Sequence, residues 1–109
     1  MKSFNKLSPS QIERLAILAE ECGETVQAAM KVLRRGYGRK HPRKPGPTNR
    51  GHLEEEIGNI LDAVEMLVEA GDVRSKKIKA SLEAKRERSQ TVPLPQLKLL
   101  MANQSVGFD

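Results

Sequence analysis

The stretch GYGRKHPRKPGP, residues 36–47, constrains the fold most. It carries Gly36, Gly38, Pro42, Pro45, Gly46 and Pro47, a density of breakers that no regular element survives. On either side run good helix formers with apolar residues at helical spacing. The chain therefore reads as two long helices joined by a basic loop over 36–49. Loops of this length are usually functional or mobile.

Local signals place the helix ends. Ser8, Pro9 and Gln11 supply an N-cap, a proline at the first helical position and a capping-box partner. The first helix is predicted from Pro9 to Arg35. Its main apolar stripe is Ile12, Leu15, Ala19, Cys22, Val26, Met30 and Leu33, and this stripe is the expected core face. A second strip reads Ile17, Glu21, Glu24 and Ala28. Thr48 or Asn49 can cap a second helix, predicted from Arg50 to Ala70 and stopped by Gly71. Its expected core stripe is Leu53, Ile57, Ile60, Leu61, Val64, Leu67 and Val68; its second strip is Glu56, Asn59, Ala63 and Met66. Asp72 is the expected cap of a third helix over Val73–Ser89, with Ile78 and Leu82 inward. Pro93 and Pro95 end it. Residues 1–92 thus form one helical domain, and residues 93–109 form an apolar tail or short fourth helix. The fold class is all-α: two long antiparallel helices, a third helix, and a tail lying on the bundle or on a partner subunit. A chain of 109 residues buries a modest core and gains by association with copies of itself.

Charge is arranged in blocks. Residues 34–52 hold seven Lys/Arg and no acid, residues 53–73 seven Asp/Glu and no base, and residues 74–88 seven Lys/Arg and two acids. A basic–acidic–basic order suits a site that holds cations and anions together, such as metal plus phosphate. The three aromatics, Phe4, Tyr37 and Phe108, are too few for a base-stacking platform, so a dedicated nucleic-acid role is not expected. The single cysteine, Cys22, excludes an intrachain disulfide, and its place on the core stripe predicts a small buried hydrophobe. One Cys with two His, His41 and His52, does not make a structural zinc site. No run is apolar enough to span a bilayer and no signal peptide opens the chain, so a soluble, cytoplasmic protein is expected.

The two second strips carry the chemistry. Side chains one turn apart on a helix point the same way. Two facing helices would bring Glu21 and Glu24 toward Glu56 and Asn59. Carboxylates that close repel unless one is protonated or a cation bridges them. Hard oxygen donors select Mg²⁺ or Mn²⁺. A lone E-x-x-E is usually just a solvated helix face; its repetition on two embedded strips flanking a basic loop is harder to dismiss. Gly23 and Gly58, inside the helices, are expected to let the two strips approach closely. Glu54, Asp62 and Glu65 are expected to face water.

The segments LAEECGETVQAAMKVLRRG and NRGHLEEEIGNILDAVEML resemble the MazG-like, all-α nucleoside triphosphate pyrophosphohydrolase family, in its short phage and bacterial single-domain form. The family pattern, E-E-x-x-E on one helix and E-x-x-D on the next, is matched by Glu20, Glu21 and Glu24, then by Glu56 with Asn59 where the family has Asp. The likeness spans about Leu15 to Val73. It implies Mg²⁺-dependent cleavage of an NTP or dNTP to the monophosphate and pyrophosphate, in a homodimer or homotetramer. By position it implies Glu21, Glu24, Glu56 and Asn59 as metal ligands, with Glu20 orienting a ligand or helping activate water. Basic candidates for the phosphates are Lys31, Arg34 and Arg35, and Lys77 and Lys85 on the third helix; for each, a solvated surface charge is the simpler reading. An amide lacks a carboxylate's charge, so Asn59 leaves three outcomes: looser metal affinity, slow turnover, or a nucleotide-binding relic. Outside the family, the basic segments would suit non-specific nucleic-acid binding, and the acids with the basic loop would suit the docking of a partner helix.

Overall fold

The structure, a computed structural model, describes residues 4–91. It is all-helical. Helix α1 spans Pro9–Arg35, α2 Asn49–Glu69 and α3 Ser75–Thr91. The chain divides into two compact units, Met1–Val73 and Arg74–Asp109. The first is a hairpin of α1 and α2; the second contains α3. The tail expected over 93–109 lies outside the described residues.

The predicted start of α1 is present in full. Gln11 N–H donates to Ser8 Oγ at 3.2 Å, and Ser8 N–H donates to Gln11 Oε1 at 2.8 Å. Pro9 occupies the first turn. The helix ends at Gly36, whose φ of 84° lies where a side chain would be strained. Thr48 is the cap of α2, accepting from Gly51 N–H at 3.1 Å.

The connecting loop is more ordered than its composition implies. Lys40 and Thr48 form an antiparallel bridge. Asn49 N–H donates to the Arg39 carbonyl at 2.8 Å and Arg50 N–H to the Tyr37 carbonyl at 3.0 Å. The Asn49 amide reaches the Gly36 carbonyl, and the Arg50 guanidinium lies 4.9 Å from the centre of the Tyr37 ring. The breakers prevent helix, but the loop is stitched to itself and to the start of α2.

The opposite end of the hairpin is closed by an ion pair that the sequence reading missed. Arg14 Nε donates to Asp72 Oδ2 at 2.6 Å, and the same guanidinium reaches Asp72 Oδ1 at 3.1 Å. Such a two-point pair fixes geometry as well as charge. Asp72, expected to cap the third helix, joins the two ends of the hairpin instead, and α3 begins at Ser75.

The packing face of α1 differs from the expected one, whereas α2 keeps part of its expected stripe, with Leu67 buried and Leu53, Ile60, Val64 and Val68 half-buried. The residues buried between α1 and α2 are Ala28, Ala63, Leu67 and Glu56. Ala28, Glu56 and Ala63 all belong to the strips that carry the carboxylates. The stripe expected as the core of α1 is open: Ile12, Leu15, Val26, Met30 and Leu33 are exposed, as is Cys22. Ile57 and Leu61 on α2 are exposed as well, and so are Ile78 and Leu82 on α3. The reason is steric. Ala28 and Ala63 are small and let the backbones approach, whereas the bulkier stripe cannot face the partner helix at the same time. Gly23 and Gly58 play no part in that approach, since a Cβ added at either meets nothing within 4 Å. The close contact is at Gly51, where a Cβ would sit 3.1 Å from Pro47 Cβ.

Candidate metal centre

The hairpin brings three predicted residues together. One carboxylate oxygen from each of Glu21, Glu24 and Glu56 falls within 4.8 Å of the others. Glu21 and Glu24 share a face of α1 because they lie one turn apart. Glu56 comes from the facing strip of α2. The alignment of the helices at this level is held by Thr25. Its hydroxyl donates to the Glu21 carbonyl at 2.8 Å and lies 3.4 Å from the Glu56 carbonyl.

Glu56 is only 7% exposed, an unusual position for a carboxylate. Its Oε1 has a partner, His52 Nε2 at 3.3 Å, one turn earlier on α2. Its Oε2 is buried with no hydrogen-bond partner, and so is Glu21 Oε2. Buried, unsatisfied carboxylate oxygens are costly, because each has surrendered its water without replacement. The Glu24 carboxyl is held above the ordinary carboxylate range, first because its protonated form shares a hydrogen bond with Glu56, then because the negative charge of Glu21 and Glu56 opposes its ionisation.

A divalent cation would meet the same demand more completely. Two orphaned oxygens and a third carboxylate, all hard donors, fit Mg²⁺ or Mn²⁺, and such sites keep positions open for water and phosphate. His52 would then act as the outer partner that orients Glu56.

The other candidates are placed less centrally. Glu20 and Asn59 are exposed on their helices. Lys31 and Arg35 line a cleft of about 190 Å³ against the basic loop; Arg34 is exposed nearby on α1. Lys77 and Lys85 are exposed on α3, in the second unit. Sequence reasoning missed His52, having weighed it against a structural zinc site. The signal was its spacing: a histidine four residues before Glu56 lies one turn away on the same face.

No family model matches this chain, and neither a curated protein nor a solved structure matches it.

Proposed function

We propose that the protein is a Mg²⁺- or Mn²⁺-dependent nucleotide pyrophosphohydrolase that converts an NTP or dNTP to the monophosphate and pyrophosphate. The observation that carries this reading is the trio Glu21, Glu24 and Glu56, with two buried oxygens lacking partners. The sequence likeness to the MazG-like family supports it from a separate direction, because the same three acids fall on the family's ligand positions.

In this reading the three carboxylates hold the cation. His52 and Thr25 fix their positions. Glu20, exposed beside Glu21, orients a ligand or accepts the proton of the attacking water. The water oxygen bonds to the α-phosphorus, the bond to the α–β bridging oxygen breaks, and pyrophosphate leaves with that electron pair. The bound cation supplies charge neutralisation and a more acidic water. Basic side chains offset the charge that gathers on the leaving group.

Asn59 supports a second reading within the same site. An amide where the resembled family carries a carboxylate would weaken cation affinity, and in that reading the protein is a nucleotide-binding relic. The open stripe on α1, Ile12, Leu15, Val26, Met30 and Leu33, supports assembly of two or four copies. Pyrophosphate release from a panel of NTPs and dNTPs with Mg²⁺ or Mn²⁺ tests the first reading. It stands if release is cation-dependent and lost in Glu21→Gln and Glu56→Gln. Nucleotide-plus-Mg²⁺ stabilisation without turnover supports the relic.

A further inference from the structure

We propose that the cleft between the end of α1 and the 36–49 loop is a binding site for a diphosphate-length anion. Lys31 and Arg35 line it from one face of α1. Lys40, His41 and Lys44 line it from the loop, and His52 from the first turn of α2. No carboxylate is among the residues that line it. Four exposed cations from two segments thus face one concavity, which concentrates positive potential there. The Lys40–Thr48 bridge and the bonds from Asn49 and Arg50 hold the loop in place. Less backbone order is therefore lost on binding than with an unstructured loop.

The size selects the ligand. At about 190 Å³ the cleft is smaller than the roughly 300–1,000 Å³ that holds a whole drug-sized molecule. It fits the phosphate portion of a nucleotide rather than all of it. The backbone donors at the start of α2 are already engaged: Asn49 and Arg50 by loop carbonyls, Gly51 by Thr48 Oγ1, and His52 by the Thr48 carbonyl. Recognition thus falls to the side chains, assisted by the positive end of the α2 dipole.

His52 joins this cleft to the carboxylate trio, because it lines the one and touches Glu56 of the other. That adjacency assigns the cleft to the β- and γ-phosphates, which leave as pyrophosphate. The assignment of the leaving group rests on the hydrolase reading; binding of the anion does not.

The probe is inorganic pyrophosphate, titrated calorimetrically into the full chain in metal-free, low-salt buffer. The expected result is binding that is tighter than for inorganic phosphate. It should weaken by about tenfold or more in Lys40→Gln/Lys44→Gln, fall steeply with salt, and survive in Glu21→Gln. Both lysines are exposed, and circular dichroism checks that the helices persist. Binding that is absent, or equal in the lysine variant, overturns the site. Turnover separates the two claims. Pyrophosphate binding without cation-dependent hydrolysis leaves the anion site standing and removes the hydrolase. Hydrolysis with unchanged KM and unchanged pyrophosphate inhibition in the lysine variant does the reverse.

Discussion

His52 Nε2 lies 3.3 Å from Glu56 Oε1, one helical turn away, whereas Glu56 Oε2 is buried with no hydrogen-bond partner. Glu56 also offers one carboxylate oxygen to the trio with Glu21 and Glu24. Outer partners of this kind typically matter by about tenfold to a hundredfold in cation affinity. His52→Ala should weaken Mn²⁺ binding by about that factor with the helical content intact. Calorimetric titration checks it; unchanged affinity would make the contact incidental.

Asn59 is the sharpest sequence test. Asn59→Asp should tighten cation binding or raise turnover at low Mg²⁺, because it adds a full charge to a hard-oxygen donor set. Measured Kd for Mn²⁺ and rates across a Mg²⁺ series check it. No change in either would mean that the exposed side chain at 59 does not face the metal.

The pH dependence of stability has two opposed parts. Glu24 has a folded pKa raised above its unfolded value of about 4.3. Its contribution is complete below that value and is lost as pH rises through the folded one. Asp72 is lowered, chiefly by its hydrogen bond to Arg14. Its contribution is present above the unfolded value of about 3.9 and is lost as pH falls through the depressed one. These two contributions overlap in mild acid, and each is lost on its own side of that window. Glu24→Gln should gain Tm over the parent as pH rises to neutrality, and Asp72→Asn should lose Tm at neutral pH. Melting curves in metal-free buffer across pH 3–8 check both. Added Mn²⁺ should raise the parent's Tm at neutral pH and leave Glu24→Gln nearly unchanged.

The helical glycines give an independent stability test. Gly23→Ala and Gly58→Ala introduce a Cβ into open space and should each stabilise by roughly 0.5–1 kcal/mol through helix propensity. Urea denaturation measures this. Destabilisation would mean that a second copy packs against those positions.

Much of the hairpin was legible because its signals are local. The Ser8–Gln11 capping box, Thr48 and the loop breakers act within a few residues of themselves, so their outcome does not depend on the rest of the fold. The carboxylate trio was legible because Glu21 and Glu24, and then Glu56, stand at helical spacing on strips with small neighbours. What periodicity could not decide was which strip α1 buries; α2 keeps Leu67 of its expected stripe inside. Leu15, Val26 and Leu61 are the more hydrophobic choice, yet the helices close on Ala28 and Ala63, where backbones can approach. Arg14–Asp72 was hidden for a related reason: its partners are far apart in sequence and meet only once the helices are antiparallel.

That reversal leads to a prediction about assembly. Val26 is 62% exposed, and so is Leu61. An open stripe running the length of α1 is more apolar than a solitary hairpin normally shows to water. The protein should sediment as a dimer or tetramer, and Val26→Glu with Leu61→Glu should shift it toward monomer and lower its Tm. Monomeric parent protein would remove the proposal of assembly.

The central claim is that Glu21, Glu24 and Glu56 together hold the cation that nucleotide cleavage requires. The most direct measurement is pyrophosphate release from nucleoside triphosphates, with and without Mg²⁺ or Mn²⁺, for the parent and for each Glu→Gln variant. The account predicts release only with the cation, and a fall of at least about a hundredfold in each variant, the upper end of what losing even an outer partner costs. Release that needs no cation, or that persists in Glu21→Gln and Glu56→Gln, would contradict it.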